Sequence, residues 1–122
     1  MRRRLRLGAL LGLALLAGCA AHPIPISGGE ISAALKGNTA LLPGGFAEYY
    51  APDGKLHGMS DGQPYEGTWA VKGDQFCTAL SGDPELCEVI GRDGDALYWS
   101  LDGEKKLSRV STILPGNPRN LK

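Results

Sequence analysis

Apolar residues along this chain pass from one continuous block to short alternating runs, and the change of period divides it. Leu7 to Ala17 is apolar apart from two glycines and follows Arg2, Arg3, Arg4 and Arg6 with no acid. A basic segment ahead of an apolar one is the pattern of an export signal, and this run falls well short of the roughly 20 residues a spanning helix needs. Residues 20–30, AAHPIPISGGE, have no hydrophobic period and carry two prolines and two glycines, which predicts a linker. If extended, those 11 residues reach on the order of 35 Å. Ile31, Ala34 and Leu35 then stand at helical spacing before Gly37-Asn38, predicting one or two helical turns over 31–36 with a glycine stop.

From Thr39 onward the punctuation is Gly-rich: Pro52-Asp53-Gly54, Asp61-Gly62, Gly73-Asp74, Asp93-Gly94 and Asp102-Gly103. Asp-Gly between alternating segments marks hairpins, because both central residues of a type I′ turn need positive φ. The stretch YEGTWAVK shows the alternation best, with Tyr65, Gly67, Trp69 and Val71 on one face and Glu66, Thr68, Ala70 and Lys72 on the other, as a half-buried strand requires. Trp69 is the expected core anchor. Leu97, Trp99 and Leu101 should likewise point inward, and only one member of each pair Tyr49-Tyr50 and Tyr98-Trp99 can do so. The prediction is a mainly all-β domain over 31–118, a small antiparallel barrel or twisted meander sheet of about seven strands, with one short N-terminal helix and a tail at 119–122.

The apolar block ends in Leu16-Ala17-Gly18-Cys19, which resembles the bacterial lipobox. The resemblance implies that residues 1–18 are a lipoprotein signal peptide, that Cys19 becomes the acylated first residue of the mature chain, and that 19–30 is a lipidated tether. One acyl chain binds a membrane only marginally, whereas two or three hold it durably. Ala20 stands where lipoproteins kept at the inner membrane usually carry aspartate, so the resemblance implies an outer-membrane anchor facing the periplasm.

Without residues 1–18 the chain has 104 residues, one small domain, and loses four arginines, leaving 9 Lys and Arg against 13 Asp and Glu, a net charge of −4. A nucleic-acid partner needs a basic face and is not expected. Asp83 to Glu104 holds seven acids and one arginine; these read as solvated hairpin tips or, more sharply, as an acidic lobe for a cationic partner.

In an oxidising compartment Cys77 and Cys87 form an even pair flanking TALSGDPEL, and a disulfide across that hairpin is expected. Closing such a loop contributes about 2.5–3 kcal/mol in the chain-entropy model. Two thiols and His57, the only histidine of the folded domain, make a poor zinc set. His57 itself, beside Gly58 and between two Asp-Gly turns, is expected to be exposed or on an edge. No serine lies in a nucleophile elbow, the turn aspartates are explained by their turns, and Asp93-Gly94-Asp95 lacks the ligand spacing of an EF-hand. No catalytic residue, metal or cofactor is therefore assigned.

The expected role is a non-catalytic binding or envelope-structural module, with the membrane as one partner through lipid and an envelope protein or small ligand as another. Tyr49, Tyr50, Tyr98, Asp83 and Glu85 form the candidate binding surface. Gly67-Thr68-Trp69 resembles the Gly-x-Trp tripeptide of lipocalins and other calycin-like barrels, in which the tryptophan packs across one end; this implies small-molecule binding. A longer order of motifs, LKGNT, YYAPDGKLHG, YEGTWAVKGDQFC, a second cysteine and PGNP, is similar to a family of small exported proteobacterial proteins and lipoproteins of unknown function. Small disulfide-bonded lipoprotein barrels also include periplasmic inhibitors of lysozyme, which implies a further reading, an enzyme inhibitor presenting the Cys77–Cys87 hairpin.

Overall fold

The alternation in the sequence becomes a closed wall. The structure, a computed structural model, describes residues 22–100 and 106–122; the signal segment, Cys19, Leu101 and the Asp102-Gly103 turn lie outside the described residues. Its strands are β1 (Ile24–Pro25), β2 (Thr39–Leu42), β3 (Phe46–Tyr50), β4 (Lys55–Ser60), β5 (Gln63–Lys72), β6 (Gln75–Leu80), β7 (Leu86–Asp93), β8 (Ala96–Ser100) and β9 (Leu107–Leu114), with one helix, α1 (Gly28–Leu35). Strands β2 to β9 pair antiparallel in chain order, and β9 returns to β2 with Ala40 opposite Ile113. The result is an up-and-down barrel of eight strands, one more than the expected seven, with β1 added outside. Eight strands enclose just enough room for side chains or one small ligand.

The predicted faces hold. Tyr65, Trp69 and Val71 pack against the buried cluster that includes Tyr50, Leu56, Phe76, Ile90, Leu97 and Trp99, while Glu66 and Thr68 are exposed. Trp69 is half-buried, stacks on Phe76 at 6.1 Å and donates Nε1–H to the Ala51 carbonyl at 2.8 Å. Gly67 has no room for a side chain, since a Cβ there would lie 2.3 Å from the Ala79 carbonyl oxygen.

Helix α1 closes one end of the barrel. It packs on β5 and β6 and places Ile31 and Leu35, both fully buried, in the core. It starts three residues earlier than the spacing of apolar residues predicts, because Ser27 caps it by accepting from the Glu30 N–H, satisfying an otherwise orphaned donor. Gly37 follows the helix at φ +75°, the left-handed stop expected at Gly37-Asn38.

The linker expectation for 20–30 is corrected here. Ile24 and Pro25 pair with Arg92 and Gly91 of β7, Ile26 is buried, and the His22 backbone N–H donates to the Asp93 carboxylate at 3.0 Å. β6 pairs only with the first half of β7, which leaves an open row of backbone groups that β1 fills. The 119–122 tail is also part of the fold, with Leu121 buried and its backbone bonded at both groups to the Asn117 side chain.

Candidate functional site

The end of the barrel opposite α1 carries the connections 43–45, 61–62 and 81–85, and there the interior turns polar. Strict alternation on β3 turns Phe46, Glu48 and Tyr50 inward together; the same rule turns Leu86, Glu88 and Ile90 of β7 inward, and Arg109 of β9, which lies opposite Trp99. Three charged residues thus share a chamber with apolar neighbours. The open cup has a volume of about 270 Å³, with Leu42, Phe46, Leu80 and Leu86 around its rim and Glu48, Tyr65, Thr78, Glu88 and Arg109 toward its floor. Phe46 and Leu86 are 43% and 37% exposed, and stand among the few exposed large apolar side chains of the described residues. Below the cup a chamber of about 40 Å³ continues between Tyr50, Phe76 and Trp99.

Charge pairing on the floor is uneven. Arg109 Nη2 donates to Glu88 Oε2 and to the Ser100 carbonyl, so its positive charge is compensated by one carboxylate. Glu48 stands apart. Burial, above all, pushes its carboxyl up to about 7, and the charge of Glu88 adds to the rise, while hydrogen bonds from Tyr65 and Tyr50 and the charge of Arg109 oppose it. Tyr65 reaches Glu48 across Gly58: a Cβ at Gly58 would lie 2.2 Å from the Tyr65 ring, so the missing side chain is what lets the ring cross β4. Burial also drives the Tyr50 and Tyr65 hydroxyls upward, with the Glu48 charge as the next cause. Arg109 Nε is buried without a hydrogen-bond partner among the described residues, and the buried Tyr50 hydroxyl interacts with the Glu48 carboxyl.

The residues singled out from sequence lie elsewhere, with one exception. Tyr50 is fully buried in the barrel, so it is no part of an outer binding surface; it lines the lower chamber. Its neighbour Tyr49 is the outward member of the pair and stacks on His57 at 6.3 Å. His57 is half-buried, and on β4, paired on both sides, it occupies no edge. Tyr98 is half-buried on the outer face opposite Val110. Asp83 is exposed, and Glu85 is held by Lys72 at 2.8 Å.

Cys77 and Cys87 form the expected disulfide from directly opposed positions on β6 and β7. Glu85 lies beside this pair, but both sulfurs are committed to one another, which leaves them no thiolate to offer a metal. Cys19 lies outside the described residues.

Sequence reasoning missed Glu48, Glu88 and Arg109, although a signal existed: each is a charge at an apolar-face position of an alternating strand. A shallower groove of about 390 Å³ runs between Ala47, Met59 and the tail residues Arg119 and Leu121 on the outer wall, without a comparable set of buried charges. Comparison of this chain with protein-family models, curated proteins and solved structures finds no match.

Proposed function

We propose that this chain is a lipid-anchored, non-catalytic binding module of the cell envelope and that its ligand is a small molecule seated in the open end of the barrel. The observation that carries the reading is the cup itself, an apolar rim with exposed Phe46 and Leu86 above a floor of Glu48, Tyr65, Glu88 and Arg109. Mostly apolar concavities with a few convergent polar groups are the usual form of small-molecule sites, and barrel mouths are among their usual places. The lipobox resemblance at Cys19 supports the anchor and an outer-membrane, periplasm-facing location.

The test is a titration with an environment-sensitive naphthalene dye, read by quenching of tryptophan emission, since Trp99 lines the chamber under the cup. Binding weakened about tenfold or more by Leu86→Asp, which puts a charge where the rim is apolar, supports the reading. Dye binding unchanged by Leu86→Asp and Phe46→Asp overturns it. The anchor is checked by intact mass of the protein isolated from membranes: acylation at Cys19 is expected, and an unmodified Cys19 removes the lipoprotein reading.

A further inference from the structure

The floor of the cup is unevenly charged. Among the described residues the ionisable groups facing the interior are Glu48 and Tyr50 from β3, Tyr65 from β5, Glu88 from β7 and Arg109 from β9. The strands between them contribute neutral linings such as Leu42, Thr78 and Trp99. Two carboxyls face one guanidinium, whose Nη2 is engaged by Glu88 and the Ser100 carbonyl, which leaves its buried Nε as the one donor without a partner among the described residues. An anionic head would reach that single donor only between two carboxyls. A cationic head meets the opposite situation, because among the described residues no cation is paired with Glu48, and the completely buried Tyr50 hydroxyl lies beside that carboxyl at the chamber wall.

We infer that the cup takes a primary-ammonium amphiphile, a protonated amine on a short apolar body, with the ammonium on Glu48 and the body between Phe46, Leu80 and Leu86. This rests on the binding reading above and names its ligand class. An ammonium carries three donors and no acceptor, which suits a floor of carboxylate and phenol oxygens. The cup volume of about 270 Å³ corresponds to roughly nine water-sized atoms at about 30 Å³ each, so the body is small. With the site empty, burial holds the Glu48 carboxyl near 7; an adjacent cation favours its ionised form. Below neutrality, binding therefore displaces the Glu48 proton to solvent.

Calorimetry with hexylammonium, hexanoate and hexanol, in two buffers of different ionisation enthalpy, tests this on the intact protein. Hexylammonium stays protonated across the range used, as a lysine-like amine does. It should bind about tenfold tighter at about pH 8 than at about pH 6, the ratio of ionised Glu48 at the two values, and release close to one proton at the lower pH. Glu48→Gln should weaken it and flatten the pH dependence. If that variant does not fold, proton release by the unaltered protein decides alone. Hexanoate or hexanol binding as tightly as hexylammonium overturns the ammonium inference, as does hexylammonium binding without proton release. Failure of all three hexyl probes in a protein that still takes up the naphthalene dye through its rim overturns the inference and leaves the binding reading standing; failure of the dye as well removes both.

Discussion

Glu48 works against the fold that contains it. Its carboxyl titrates near 4.5 when solvated and near 7 in the barrel, so between those values the folded chain keeps a proton that the unfolded chain has lost. Stability therefore falls as pH rises through this window and levels off above it, by about 3 kcal/mol from this group. Chemical denaturation at about pH 5 and about pH 8 should show most of that difference, about 2.5 kcal/mol, and Glu48→Gln should remove most of it. Tyr65→Phe takes away the hydrogen bond that favours the charged form, so the Glu48 carboxyl should move above 7 in a carbon-detected titration. The position of Glu48 was legible in principle. Tyr50 had to share a face with Glu48, and a reading that sent one of Tyr49 and Tyr50 inward could have asked what accompanied it. Composition hid the answer, because a glutamate between apolar neighbours looks like an ordinary solvent-facing residue.

At the scale of elements, hairpins were the most legible feature and the N-terminal segment the least. Asp61 and Gly62 both adopt positive φ, as the turn chemistry of an Asp-Gly pair demands, and β4 and β5 follow from it. The helix was placed late because Gly28 and Gly29 read as linker, although Ser27 and Glu30 stand at the spacing of a capping box. Gly28 is required by contact rather than by flexibility: a Cβ there would lie 2.1 Å from the Gly73 carbonyl oxygen, where the helix meets the β5–β6 turn. No local pattern reports a contact between residues 45 positions apart. The disulfide between β6 and β7 was legible from spacing and compartment. Replacing both cysteines by alanine should lower the free energy of unfolding by about 2.5–3 kcal/mol, measured by urea denaturation against the oxidised parent. A loss below about 1 kcal/mol would show that the paired strands already restrain the unfolded chain as the bridge does.

For the whole molecule, closure was predicted only as one of two outcomes, and the deciding pairing, β2 with β9, joins the first and last strands of the wall, about 70 residues apart. Closure removes the exposed strand edges that invite aggregation and gives the barrel two unlike poles, α1 at one and the cup at the other. Among the described residues no helix is long and apolar enough to cross a membrane.

The bond from His22 to Asp93 fixes where the preceding chain departs: the pole of the β7–β8 turn, the one that α1 closes. With β1 folded against the wall, only Ala20 and Ala21 separate Cys19 from His22, three residue steps that reach about 10 Å at full extension in place of the 35 Å leash the linker reading allowed. A lipid on Cys19 would then seat the barrel against the bilayer like a cup on its base, brim toward the aqueous compartment. Supply of a ligand would be governed by its dissolved concentration and hardly by lateral traffic in the leaflet. A form lacking residues 1–21 should therefore bind hexylammonium with the same affinity, within about twofold, as the acylated protein on vesicles.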